Sequence, residues 1–285
     1  MIGFGERLQA AMQVHGPLCA GIDPHRELLH EWGLDFDLDG LERFAFTCVE
    51  AFGGTVAAVK PQSAFFEVFG SAGVAILERV IDALREAGTL TILDAKRGDI
   101  GTTMAAYAEA FLGKDAPSAA DAITLSPYLG YESLRPAIDL AEQTGRGVFV
   151  LGLTSNPEGP TVQHAVREGR SVAATMVQGA TTDNAAAAHR SVWGSVGLVI
   201  GATVGTAVQD LELDLATMNG PLLAPGIGAQ GGTAADVRRV FAGALTQVLP
   251  SSSRAVLAAG PQVARLATAV RDESARMAEI VRSAA

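Results

Sequence analysis

Short apolar runs, each closing on a polar or charged residue or a glycine and followed by a stretch of helical periodicity, recur along the chain. They are "LCAGID" (18–23), "TVAAVK" (55–60), "TLTILDAK" (89–96), "DAITLS" (121–126), "GVFVLGLT" (147–154), "GLVIGAT" (197–203), "PLLAPG" (221–226) and "LTQVLPSS" (245–252). Their length and content of Val, Ile, Leu and Thr predict strands. The intervening segments keep helical spacing: in "GVAILERVIDALREAG" (73–88) the apolar positions Val74, Ile76, Leu77, Val80, Ile81 and Leu84 fall on one face, and Gly88 is placed to stop the helix. Strand and helix alternating in this way predict parallel βαβ units. The fold expected is therefore α/β, a (β/α)8 TIM barrel forming a single domain over residues 1–285, with an extra N-terminal helix at 4–14 and the last helix at 261–283. An open doubly wound sheet is the alternative architecture. Internal repeats are absent. The irregular interval 155–180, "SNPEGPTVQHAVREGRSVAATMVQGA", is expected to include a long loop after the fifth strand.

Composition narrows the function classes. With 285 residues, 48% hydrophobic and 18% charged, the chain can bury a large core. A net charge of −10 argues against nucleic acid as a partner, because such surfaces need clustered Lys and Arg to displace counterions. Small molecules are the expected partners. Cys19 and Cys48 lie inside apolar stretches and suit small core residues of a reduced, cytoplasmic protein. Neither a signal-peptide pattern nor a membrane-spanning apolar run is seen, so no membrane association is expected.

In a barrel of this type the chemistry gathers at the C-terminal ends of the strands. Asp23 ends the first predicted strand, Lys60 the second, Asp94 and Lys96 the third, Ser126 the fourth, and Thr154 and Ser155 the fifth; Gln230 and Arg254 follow the seventh and eighth. Ser126 and Thr154 taken singly read as ordinary loop or cap residues. Asp94 and Lys96 are two apart and so share a side if the strand continues, Lys60 on the neighbouring strand can reach the same mouth, and Asp99 lies in the loop beyond. Charges of alternating sign neutralise one another, which makes such an array tolerable where an isolated buried ion is not. A purely structural salt-bridge network is the competing reading, and the position of the array at the active face tips the balance.

"APGIGAQGGTAADVRRV" contains a literal G-x-G-x-x-G in Gly226, Gly228 and Gly231. A dinucleotide site would want an acid at the end of the next strand, where "PSSSR" stands instead; Arg254 could take the extra phosphate of NADP. A glycine loop after strand seven, with Ser253 and Arg254 after strand eight, fits a phosphate group better, held by backbone N–H groups and a guanidinium. A solvated turn is the third reading. His15, His25, His30, His164 and His189 lack H-E-x-x-H spacing, so no metal site is expected. No G-x-S-x-G elbow occurs. His25 lies near the mouth by position but reads as a helix-start or surface histidine.

"DAKRGDIGTT" resembles the signature of the orotidine 5′-phosphate decarboxylases, and "APGIGAQGG" with "PSSSR" resembles that family's phosphate-binding segments, its longer bacterial branch fitting best. The D-x-K-x-x-D element alone is shared with other barrel decarboxylases and aldolases acting on sugar phosphates. The resemblance implies a cofactor-free homodimer converting orotidine 5′-monophosphate to UMP and CO2 in de novo pyrimidine synthesis. It makes Lys96 the proton donor to C6 and Asp94 the carboxylate beside the leaving carboxylate. Asp99, Ile100 and Thr103 would enter the partner subunit's site, with Asp99 and Thr103 contacting the ribose. Asp23 and Lys60 would hold ribose hydroxyls and complete the charge array. Ser155 matches the serine that reads the pyrimidine, while Pro225, Gln230 and Arg254 would line the phosphate end. The implied rival is a related Mg2+-using sugar-phosphate enzyme, and a second is a non-catalytic phosphate-ligand-binding barrel.

Overall fold

A computed structural model of the chain describes residues 2–228 and 231–284. Parallel strands β1 (Cys19–Ile22), β2 (Ala58–Pro61), β3 (Leu90–Arg97), β4 (Ala122–Leu125), β5 (Gly147–Leu153), β6 (Val196–Ile200), β7 (Leu222–Pro225) and β8 (Val248–Ser252) pair in sequence order, and β8 closes on β1. The (β/α)8 barrel is thus the observed architecture and the open sheet is ruled out. Each predicted strand overlaps an observed one. The leading helix spans Phe4–His15 and the final one Val263–Ala284.

Two apolar layers hold the molecule together. The larger lies between the strands and the surrounding helices, whose inward faces carry residues such as Phe44, Cys48 and Phe52 or Ile76, Leu77, Val80, Ile81 and Leu84. Asp37 caps the helix Leu38–Phe52 by accepting from the Gly40 N–H at 2.8 Å, satisfying a donor that the first turn leaves unpaired. The smaller layer fills the barrel interior with Cys19, Ala58, Ile92, Ala122, Phe149, Leu223 and Leu249. Phe4 and Leu8 of the leading helix close its lower end, the Phe4 ring meeting Phe149 edge-on at 5.9 Å between centroids. Gly147 makes this plug possible, because a Cβ there would lie 2.6 Å from the Phe4 ring carbon Cγ.

Side chains on a strand alternate, so the interior layer also fixes what points inward further up. Two residues beyond Ala58 stands Lys60, beyond Ile92 Asp94, beyond Ala122 Thr124, beyond Leu223 Pro225 and beyond Leu249 Ser251. The barrel lining therefore changes from apolar at the bottom to charged and polar at the top.

The interval 155–180 differs from expectation. Instead of one long loop it holds a short helix (Gly159–Gln163), a two-stranded antiparallel hairpin pairing Val166–Arg167 with Arg170–Ser171, and the start of the helix Val172–Ala188, which Ser171 caps through the Ala174 N–H at 3.0 Å. The reason is local: Ser171 is a good cap but lies inside a run of polar residues that hides the onset of periodicity. No described helix is long and apolar enough to cross a membrane.

Candidate active site

The top of the barrel opens into a cavity of about 250 Å³ walled by strand ends, with Asp23, Lys60, Asp94 and Lys96 on one side and Pro225, Gly226, Ser253 and Arg254 on the other.

Asp94 is the hub of the charged side. Its Oδ2 accepts from Lys60 Nζ at 2.8 Å and from Gln62 Nε2 at 3.0 Å, and its Oδ1 accepts from Lys96 Nζ at 2.6 Å and Thr124 Oγ1 at 2.9 Å. Each carboxylate oxygen is therefore bound by one ammonium and one neutral donor. Burial alone would raise the Asp94 carboxyl, yet the charges of Lys60 and Lys96 hold it well below the ordinary carboxylate range. Burial also opposes the Lys60 ammonium, and the facing Asp94 and Asp23 charges outweigh it and keep Lys60 above the usual lysine range. Lys60 and Asp94 are both nearly sealed from solvent, whereas the Lys96 side chain is 44% exposed and faces the open mouth.

The backbone at Lys96 is unusual. Its φ is +45°, in the left-handed region that favours glycine, and the β3–β4 pairing shifts register between Leu93 and Arg97. The Lys96 N–H donates to Thr124 Oγ1 at 3.0 Å, so the hydroxyl that supports Asp94 also holds the bulged backbone. Strand alternation put Asp94 and Lys96 on one side; the bulge brings the lysine there by a different route. Strain of this kind costs on the order of 1–3 kcal/mol and persists only where the surroundings enforce it.

Asp23 lines the cavity, and among the described residues its buried Oδ1 has no hydrogen-bond partner. Such an acceptor is costly unless a ligand or water satisfies it. Across the cavity, the Arg254 guanidinium makes no hydrogen bond or ion pair with any described residue, in a chain of net charge −10. Close beneath it, Gly21 on β1 admits the Ser253 side chain, whose Cβ would lie 2.8 Å from a Cβ added at Gly21. The glycine loop closes on itself: Gly228 N–H donates to Gly232 O at 2.8 Å, Gly231 N–H to Gly228 O at 2.8 Å, and Gly232 N–H to Gly226 O at 3.0 Å.

Of the residues named from sequence, Asp23, Lys60, Asp94, Lys96, Pro225 and Arg254 line this cavity. Gln230 lies outside the described residues. Asp99, Ile100 and Thr103 do not line it. Asp99 Oδ1 accepts from the Ile100 N–H at 2.8 Å at the start of the helix Gly101–Leu112, where Ile100 and Thr103 are exposed. Ser155 is exposed and off the cavity wall, while Thr154 lines it with its backbone N–H and hydroxyl engaged by Gln163 and Asn156. His25 caps the helix Arg26–Glu31, its Nδ1 accepting from the Leu28 N–H at 3.3 Å. Cys19 and Cys48 are free and buried, and burial pushes the Cys19 thiol up to about 12.

Gln62 and Thr124 were not singled out in the sequence. Each carried a usable signal: Gln62 is two beyond Lys60, and Thr124 two before Ser126 on a predicted strand. No group of three or more His, Cys, Asp or Glu side chains placed to hold a metal ion occurs among the described residues.

The sequence profile of the orotidine 5′-phosphate decarboxylase / HUMPS family matches residues 16–269. The orotidine 5′-phosphate decarboxylase of Streptomyces coelicolor is 58% identical over 282 residues, 99% of this chain and 98% of that protein. The crystal structure of a Streptomyces avermitilis protein assigned to the same family superposes with a TM-score of 0.91 at 57% identity, covering 100% of this chain and 96% of that one. The OMP decarboxylase of Leishmania donovani superposes with a TM-score of 0.70 at 28% identity, covering 98% and 100%.

Proposed function

The chain belongs to the orotidine 5′-phosphate decarboxylase / HUMPS family, and from that premise we propose that it converts orotidine 5′-monophosphate to UMP and CO2 in pyrimidine biosynthesis. The observation that carries this reading is the Asp94 carboxylate clamped between two ammonium groups, at 2.8 and 2.6 Å, on the wall of a cavity whose far side presents the Arg254 guanidinium, which has no side-chain partner among the described residues.

Breaking the bond from C6 to the carboxylate leaves an electron pair in an in-plane orbital that the ring carbonyls cannot delocalise well. The chain's own fixed charges supply the stabilisation. Lys96 faces the developing carbanion, lowers its energy and delivers a proton from Nζ to C6 as CO2 departs. At the open mouth the amine then regains a proton from water. Asp94 orients Lys96 from one oxygen and is itself held from the other by Lys60 and Gln62, so the array needs no rearrangement as charge moves.

Asp23 offers its orphan oxygen to a ribose hydroxyl, with Lys60 alongside. Pro225, Gln230, the glycine loop and Arg254 take the phosphate, which a guanidinium can grip through two oxygens. The phosphate is remote from C6, so the energy of gripping it can serve to hold the reactive geometry, and its loss should lower rate as well as affinity. Ser155, next along from the cavity-lining Thr154, reads the pyrimidine.

The reading extends to a cytoplasmic homodimer. Asp99, Ile100 and Thr103 stand outside their own cavity, and the ends of β3 and β4 expose Ile100, Tyr128 and Leu129, with Tyr128 78% exposed. A second copy covering that face would receive Asp99 and Thr103 at its ribose subsite.

The test is the fall in ultraviolet absorbance of orotidine 5′-phosphate on mixing with the protein, with and without EDTA. Turnover that survives chelation supports the reading. Dependence on Mg2+ would favour a sugar-phosphate relative, and UMP binding without absorbance change would favour a non-catalytic barrel.

A further inference from the structure

The final helix, Val263–Ala284, carries an ion pair that faces the phosphate end of the cavity from behind. Glu273 is 8% exposed at its side chain. Its Oε1 accepts from Ser252 Oγ at 2.7 Å and from Arg276 Nη2 at 2.7 Å, and its Oε2 accepts from Arg276 Nε at 2.8 Å. The two residues are three apart and so lie on one helix face. Ser252 is the last residue of β8, and Ser253 and Arg254 follow it directly. The Arg276 guanidinium lies against Gly228 in the glycine loop: a Cβ added at Gly228 would be 2.8 Å from Nη1 and 3.0 Å from Cζ. Gly228 has a φ of +77°, so both its conformation and this approach call for glycine.

One buried carboxylate and one planar guanidinium therefore touch both segments assigned to the phosphate. Ordinary i,i+3 pairs on exposed helix faces contribute little, because water competes for both partners. This one is bidentate, partly sealed and shared with a strand-end hydroxyl, which fixes its geometry.

We propose that Glu273 and Arg276 are positioning residues for phosphate recognition, holding the end of β8 and the loop at Gly228 at the spacing that lets Arg254 and the loop backbone engage one phosphate. The inference rests on the assignment of those two segments to phosphate.

Arg276→Ala, Arg276→Lys, Glu273→Gln and the double variant are compared with the wild-type protein on orotidine 5′-phosphate and on orotidine, which lacks the phosphate, together with inhibition by inorganic phosphate. Arg276→Ala is expected to lower kcat/KM for orotidine 5′-phosphate by about tenfold to a hundredfold, the scale of a small misplacement of binding groups. It should leave kcat/KM for orotidine unchanged and weaken inhibition by phosphate. Arg276→Lys, which keeps the charge and loses the fork, should fall between. Glu273→Gln should match Arg276→Ala, and the double variant should be no worse than either, because the two act as one unit.

Equal losses on both substrates would reduce the pair to a structural role. An unchanged response to orotidine 5′-phosphate and to inorganic phosphate would overturn the proposal. Should Glu273→Gln fail to fold, the Arg276 variants decide the matter, since that side chain is partly exposed. A wild-type protein that turns over neither compound would instead sink the proposed function, a distinguishable result.

Discussion

Lys96 combines a strained backbone, an exposed ammonium and a bond to the most heavily satisfied carboxylate of the cavity. Lys96→Ala is expected to remain folded, because the side chain removed is partly exposed and fills no core position, while turnover in the absorbance assay falls by several orders of magnitude; substantial residual activity would contradict its proposed role as proton donor. Asp94→Asn acts differently. It leaves Lys60 buried without the carboxylate that pairs with it directly, and urea unfolding should register a loss of about 3–5 kcal/mol. The same pair sets a pH window. Asp94 is held below its ordinary 3.8, so its contribution is complete above about pH 4 and is lost as pH falls through the folded value. Lys60 is held above its ordinary 10.5, so its contribution is complete below that pH and is lost on further rise. Unfolding free energy measured across pH should therefore be level between these limits as far as this pair is concerned, and Asp94→Asn should lose the fall on the acid side. At the other wall, Arg254→Ala should reduce catalytic efficiency by roughly a hundredfold or more, with partial recovery on adding guanidinium. The absence of both loss and rescue would remove Arg254 from the phosphate.

Among the elements, the leading helix is separated from the chemistry by the whole depth of the barrel. Phe4→Ala opens a void against Phe149 and should cost about 3–5 kcal/mol in chemical denaturation while KM stays the same. A KM shift would mean that the lower plug communicates with the mouth. Barrel strands and this helix were legible in the sequence because each is a compact apolar run or a clean helical face. The segment after β5 was not, since the hairpin Val166–Arg167 and Arg170–Ser171, exposed except at Ser171 and mostly polar, leaves no hydrophobic period to read. Within the site, the sign and order of Lys60, Asp94 and Lys96 were visible from strand alternation. What escaped was neutral: Gln62 and Thr124 look like any polar strand-end residue until the carboxylate they bind is seen. The bulge at Lys96 left no mark either, because the residue that adopts the left-handed conformation there is a lysine rather than a glycine. Glu273 and Arg276 escaped for another reason. They lie on the outer wall, on the final helix, and matter only through their contact with β8 and the loop.

At the scale of the whole molecule, the proposed homodimer makes each cavity dependent on a second chain. Lys96→Ala and Asp99→Ala should each be nearly inactive alone. Unfolded together and refolded as a mixture, they should regain activity at up to about a quarter of the sites, since each mixed dimer has one site with an intact Lys96 and the partner's intact Asp99. Sedimentation at twice the chain mass without any such recovery would keep the dimer and discard the shared site. The cavity itself is divided between two arcs of the barrel: the ionic cluster belongs to β2, β3 and β4, and the proposed phosphate end to β7 and β8, with β1 as the seam where the ring shuts. Under the proposed function, reactive and anchoring side chains thus come from separate arcs of one ring. A lineage could exchange the strands that perform the bond breaking while retaining the grip on a phosphorylated sugar, and a designer could graft a new ring chemistry onto the same handle.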